Sequence, residues 1–281
     1  MEIQSAKFWP LTVFIGLSLL FSTSLRAQTN VKDAPEFGAR ISLGLDKKIV
    51  KGLHITLEEE ARFDNNFRGF DRLQTTLGIQ YKMHNNIKLG LGYAFIAPYS
   101  PSNSTFKNMR HRLMADITGT LKMGNWNLSL KERFQWTYRM GDINLFQSPR
   151  NLLGLKSRLM LKYKGARIVE PYVYVEVRNV FNAPAVSAYF DGTDYMTESG
   201  AVTSDPGWFL TGYNNCYVNR VRSCLGMDVK INKKHSLDFA FLADYTRDKI
   251  IDANSDGTKL KSYTKVTEFK GNICASYVFS F

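Results

Sequence analysis

From Phe37 to the last residue this chain alternates, and that period of two governs what it can become. Phe37, Ala39, Ile41, Leu43 and Leu45 interleave with Gly38, Arg40, Ser42, Gly44 and Asp46. Ile87, Leu89, Leu91, Tyr93 and Phe95 interleave with Lys88, Gly90, Gly92 and Ala94. Trp126, Leu128, Leu130, Phe134, Trp136 and Tyr138 interleave with Asn127, Ser129, Lys131, Arg133, Gln135 and Thr137. Successive side chains of an extended strand point to opposite faces, so the pattern predicts strands with one apolar and one charged face. The runs last about 10–14 residues, roughly twice a common soluble strand and long enough for a tilted strand to cross a bilayer. After the N-terminal segment no run of about 20 apolar residues occurs, which excludes a bundle of membrane helices. A membrane barrel stays open, because there only every second residue meets lipid.

The connections carry a second argument. Short ones at 50–52, 83–86, 124–125, 165–170 and 232–234 alternate with long ones near 65–71, 99–109, 141–150, 182–217 and 248–262. Outer-membrane barrels have short turns at one rim and long loops at the other. The expected fold is therefore an all-β, transmembrane, antiparallel up-and-down barrel spanning 28–281, with about 12 strands and 10–14 allowed. Eleven strands are visible, an odd number, so either a short strand or a lumen-crossing segment lies within 28–36 or one region divides differently; a hairpin within 182–217 would add two and leave the parity odd. The alternation places Phe281 at the short-turn rim, where the closing "ASYVFSF" strand must pair with the first one.

Residues 1–27, "MEIQSAKFWPLTVFIGLSLLFSTSLRA", have the layout of a secretory signal peptide. Lys7 gives a positive start, Phe8 to Phe21 an apolar core too short for a membrane span, and Ala27 a cleavage position. The expected address is the cell outer membrane, with outer-membrane lipid as the surrounding partner.

The polar face is dominated by charge. Expected lumen-lining residues are Glu58, Glu60, Arg62, Arg110, Arg112, Asp116, Lys131, Arg133, Arg158, Glu176, Arg178, Arg220, Arg222 and Asp228, with Arg40, Arg72, Lys156 and Lys230 on the same parity. Bases outnumber acids. Such a wall either favours anions in a narrow pore or forms an arginine–carboxylate network that fills the barrel. Glu59 and Glu132 break the pattern, since alternation puts both on the lipid face. A β-bulge in each strand, with ion pairs to Arg62 and Arg133, would turn them inward; a paired acidic site is the alternative.

Other chemistry is thin. His54, His84 and His235 fall in or near short turns, and His111 falls on the outward face with Leu113 two residues on, where a lipase-like site would need serine. The three cysteines, Cys216, Cys224 and Cys274, form no metal-ligand spacing and no disulfide framework. No catalytic residue, metal or cofactor is expected. The net charge of +12 comes without a Lys/Arg block, which argues against nucleic acid. The long segment 182–217, rich in Gly, Ser, Asp and aromatics, either constricts the barrel mouth or meets a surface partner.

"LEEEARF" (57–63), "YKMHNNIKLGLGY" (81–93), "RHRLMADIT" (110–118), "LSLKERFQW" (128–136) and "SRLMLKYKG" (157–165) together resemble the uncharacterised DUF2490-type outer-membrane barrels of Bacteroidetes-like bacteria. The resemblance implies an outer-membrane location and brings no activity with it. The terminal Phe281 is similar to the C-terminal signal read by barrel-assembly machinery. Three roles stay open: a narrow solute channel leaning to anions, a closed structural or surface-binding barrel, and an outer-membrane enzyme acting on lipid or peptide.

Overall fold

The computed structural model describes residues 30–31, 35–64, 66–189, 194–196, 202–204, 207–253 and 260–281. The expected leader over 1–27 lies outside them. In chain order the strands are β1 (Asn30–Val31), β2 (Glu36–Val50), β3 (Leu53–Asp64), β4 (Gly69–Tyr81), β5 (Ile87–Ser100), β6 (Thr105–Phe106), β7 (Arg110–Met123) and β8 (Trp126–Arg139). They continue as β9 (Asn151–Tyr163), β10 (Val169–Tyr189), β11 (Asp194–Met196), β12 (Val202–Ser204), β13 (Gly207–Lys230), β14 (His235–Ala253) and β15 (Leu260–Ser280). Among the described residues there is no α-helix.

Eleven of these strands, β2–β5, β7–β10 and β13–β15, form one closed sheet. Each pairs antiparallel with the next, from β2–β3 through β14–β15. The last strand then pairs parallel with the first, from Lys270↔Glu36 to Ser280↔Asp46. An odd number of sequentially antiparallel strands leaves the first and last running the same way, so a parallel seam is unavoidable. The extra strand expected within 28–36 exists as β1, which pairs parallel at Asn30↔Val266 and Val31↔Thr267. It adds to the seam edge that β2 occupies and does not change the parity. The barrel of about twelve strands is thus eleven spanning strands and one short one.

The short connections fall where the turn residues predicted. Gly52 (φ 87°) and Gly124 (φ 58°) supply the left-handed backbone their tight turns need. Phe281 sits at this rim, donating its N–H to the Asp46 carbonyl at 2.9 Å and accepting from Lys48 N at 3.1 Å. At the opposite rim the expectation needs correcting. The segment 182–217 is not one loop: β10 continues to Tyr189 and β13 begins at Gly207, with register shifts near Asn179, Ala183 and Ala185. Likewise β14 runs to Ala253 and β15 starts at Leu260. These four strands have 19–24 residues against 12–15 for the other spanning strands. At about 3.3 Å per residue the longest reaches roughly 80 Å, so one side of the barrel rises as a wall above the long-loop rim.

Burial is inverted relative to an ordinary globular domain. On the outer face Leu43 is 62% exposed, Leu91 67% and Leu225 65%. On the face that closure turns inward, Glu176 is 2% exposed, Asp244 4% and Arg222 6%. Small apolar clusters, Ala94–Ile96–Met114 and Tyr174–Cys224–Leu242, fill part of the interior between the charges.

Candidate functional site

Antiparallel register builds the centre of the interior. Arg158 on β9 lies opposite Glu176 on β10, Glu176 opposite Arg222 on β13, and Arg222 opposite Asp244 on β14. Positive and negative side chains therefore alternate along one cross-strand row. Arg158 donates to Glu176 Oε2 from Nη2 at 2.6 Å and from Nε at 3.0 Å. Arg220 Nη2 donates to Oε1 at 2.7 Å, and Arg222 Nη1 stands 4.0 Å from the same oxygen. Arg222 forks onto Asp244 at 2.5 and 2.7 Å, and Arg40 on β2 reaches Asp244 at 3.4 Å. The Arg158 guanidinium also covers the Tyr174 ring at 4.2 Å. A cavity of about 40 Å³ among Lys131, Arg133, Lys156, Arg158 and Glu176 lies beside this lattice.

Further pairs flank it. Asp116 takes a forked bond from Arg133 at 2.6 and 2.7 Å and an ion pair from Lys131 at 2.8 Å. Arg62 pairs with Glu60 at 2.6 Å. Nearer the short-turn rim Lys162 sits between Asp228 (2.7 Å) and Glu170 (3.0 Å), and Glu170 also holds Lys164 and Lys230. Glu58 is exposed and has no ion pair among the described residues. Asp244, Glu170 and Lys162 belong to the lattice although the sequence reading did not single them out. Glu170 shares strand parity with Tyr172, Lys162 with Arg158 and Asp244 with Asp238, and that was the available signal.

Toward the long-loop rim the balance fails. Arg110, Arg112, Arg139, Lys156 and Arg178 make no ion pair among the described residues; Arg112 donates only to Thr137 Oγ1, at 3.0 Å. Register sets like charges opposite each other here: Arg110 faces Arg139, and Arg178 faces both Lys156 and Arg220. Cross-strand like-charge pairs are destabilising. Four guanidinium Nε atoms, on Arg110, Arg139, Arg178 and Arg220, are buried with no hydrogen-bond partner.

The connection 141–150 arches over this cluster. Gln147 Nε2 donates to Asp252 Oδ1 and to the Ala253 carbonyl, both at 3.1 Å, and Asn144 Nδ2 donates to the same carbonyl at 2.9 Å. Phe146 packs against Ile251 and Ala253 with Val186 and Leu210. The loop leaves β8 and reaches the end of β14, so 141–150 crosses the barrel mouth; the middle of 182–217 lies outside the described residues. Beneath it lies a cavity of about 300 Å³ lined by Asn108, Arg110, Arg139, Asp142, Ile143, Asn144, Gln147 and Ser148.

Glu59 and Glu132 correct another expectation. Register is continuous through both, Leu43↔Glu59↔Thr75 and Ile117↔Glu132↔Ser157, so neither strand bulges there. Both stay on the outer face. Each accepts a hydroxyl hydrogen bond at 2.6 Å, Glu59 from Thr75 and Glu132 from Ser157. The expected partners are committed elsewhere, Arg62 to Glu60 and Arg133 to Asp116. The two carboxylates lie on β3 and β8, separated by β4, β5 and β7, and form no joint site. His111 is opposite Tyr138 and bonded to Tyr93 Oη at 2.5 Å. Cys216 is exposed, Cys224 buried and Cys274 half-buried, all three free.

A closed β-barrel with an apolar exterior and a charged interior, paired at its centre, is the class this geometry defines. Within that class the chain belongs to the family described as protein of unknown function, DUF2490, which matches residues 37–194 and so takes in β2 to β10. No curated protein matches the chain.

Proposed function

We propose that this chain is an integral outer-membrane β-barrel whose lumen is shut at mid-height, so that it serves as a closed, surface-binding barrel and not as a free-flowing pore. The carrying observation is Glu176, 2% exposed at the junction of Arg158, Arg220 and Arg222. Charges on β9, β10, β13, β14 and β2 are tied side to side there, where an aqueous path would have to run. Eleven strands fall between the eight of a side-chain-filled barrel and the sixteen of an open porin, a size that long arginines can fill. The exposed apolar exterior, exemplified by Leu43, Leu91 and Leu225, supports a lipid surround, because such area facing water would drive association. We extend the proposal to assembly, with Phe281 as the residue that barrel-assembly machinery would read; its two backbone hydrogen bonds to the first strand support that reading.

Two measurements test this. The purified protein should show heat-modifiable gel mobility with a β-rich far-UV spectrum, as a membrane barrel does. In planar bilayers it should give no step currents. Regular single-channel steps would overturn the closed lumen and restore the anion-leaning channel.

A further inference from the structure

We propose that the cavity under 141–150 is a binding site for a small phosphate-class oxyanion, held between Arg110 and Arg139. The two guanidinium groups approach it from adjacent strands and are opposite in register. Each keeps a buried Nε–H without an acceptor, so a donor remains on both, although Arg139 Nη1 already donates to Ser148 Oγ in the cavity wall. The amides of Asn144 and Gln147 are used to hold the loop to Ala253 and Asp252, which leaves recognition to the arginines. Arg110 lies within electrostatic reach of Arg139, Arg72 and Arg178, and Arg112 of Arg178, Arg72 and Arg110. Asp71 forks onto Arg72 and also acts favourably on Arg110, one carboxylate set against the cluster. The remaining acid at the cavity, Asp142, is exposed and makes no ion pair among the described residues.

A barrel that balances its other interior charges so closely pays for this excess with like-charge repulsion. An anion with several oxygens relieves it by taking two planar forks at once, which suits phosphate better than a single-point halide. A cavity of about 300 Å³ accepts inorganic phosphate with room for a small organic group. It opens at the barrel mouth, away from the apolar exterior, so the assignment is to a soluble phosphate and not to a lipid headgroup.

The proposal extends the closed-barrel reading by naming what its mouth holds, yet binding needs only the folded barrel in detergent. Conductance tests one and titration the other, so the two can fail separately. Calorimetric titration of the full-length barrel with inorganic phosphate, against chloride at matched ionic strength, should show saturable binding for phosphate alone. Arg110→Gln and Arg139→Gln should each weaken it by about tenfold or more, the usual consequence of losing a charge-assisted donor. Lys122→Gln, beside the Gly124 turn at the other rim, should leave it unchanged. In the unaltered protein, phosphate should protect Arg110 and Arg139 from an arginine-specific dicarbonyl reagent, read by peptide mapping, which covers the case of a variant that does not fold. The site is refuted by no saturable phosphate signal, by variants that bind within about twofold of the parent, or by equal labelling with and without phosphate. Binding of a micellar phospholipid headgroup without binding of free phosphate refutes the soluble ligand.

Discussion

Replacing Glu176 by Gln keeps the side chain's shape and removes the charge that three arginines share. In the native barrel its oxygens accept bonds of 2.6, 3.0 and 2.7 Å from Arg158 and Arg220, with Arg222 at 4.0 Å. The carboxamide retains one acceptor and turns a donor toward a guanidinium. Breaking a buried ion pair from one side costs about 3–5 kcal/mol, because the partners stay charged and buried. Arg158 is 33% exposed and can turn toward water, whereas Arg220 is only 14% exposed and cannot. The loss therefore falls near the lower bound, about 3 kcal/mol. Reversible urea unfolding from lipid vesicles, followed by the fluorescence of the outward Trp126 and Trp136, measures it as a lower midpoint at unchanged slope. The double variant Glu176→Gln/Arg220→Gln should lose less than the sum of the singles, since each removes the other's unpaired partner. A loss under about 1 kcal/mol for Glu176→Gln, or strict additivity in the cycle, would mean that the lattice is not what closes the lumen.

Arg112→Gln, taken from the unpaired cluster, should leave stability unchanged or raise it in the same unfolding assay, because it removes repulsion and no ion pair. Glu59→Leu and Glu132→Leu should each stabilise the barrel in vesicles by about 1 kcal/mol, since an outward carboxylate in the apolar belt costs more than a leucine. Gly226→Ala should destabilise by about 1–3 kcal/mol: its Cβ would stand 2.4 Å from the Tyr172 ring, which must then leave Asp238 (2.8 and 2.9 Å). Deleting Phe281 removes two seam hydrogen bonds, about 2 kcal/mol together, and should lower the yield of inserted barrel in a vesicle-folding assay while sparing phosphate binding by barrels already formed.

The period of two made the spanning strands legible because each residue there meets one of two unlike surroundings. Leu43 beside Gly44 and Leu225 beside Gly226 are decided by face alone. Above the long-loop rim that contrast ends, so residues 182–189 and 207–217 lost the alternation and read as loop while remaining paired. Charge partners were illegible for a related reason. Arg133 is next to Glu132 in the chain but opposite Asp116 in the sheet, and only register distinguishes a neighbour in sequence from one on the same face. The cavity at the mouth depends on 141–150 bonding to Asp252 and Ala253, more than 100 residues away, which no local pattern encodes.

The seam links these features. Parallel hydrogen bonds are slanted and slightly weaker than antiparallel ones, so the β15–β2 edge is the weakest backbone joint of the closed sheet. Side chains reinforce it. Lys270 on β15 pairs with Glu36 on β2 at 2.9 Å and with Asp64 on β3 at 3.2 Å. Arg40 on β2 reaches past β15 to Asp244 on β14 and contacts Asn272 on the way, at 3.5 Å. Glu36 of β2, Asp64 of β3 and, in part, Asp244 of β14 thus serve closure. Across the lumen, β7–β10 are joined by antiparallel ladders, and the carboxylates of their inner face are already paired, Asp116 with Arg133, Glu176 with Arg158 and Glu170 with Lys162. There Arg110, Arg112, Arg139, Lys156 and Arg178 stand without carboxylate partners among the described residues, and a diffusible anion can do for that wall what Asp244 does for the seam.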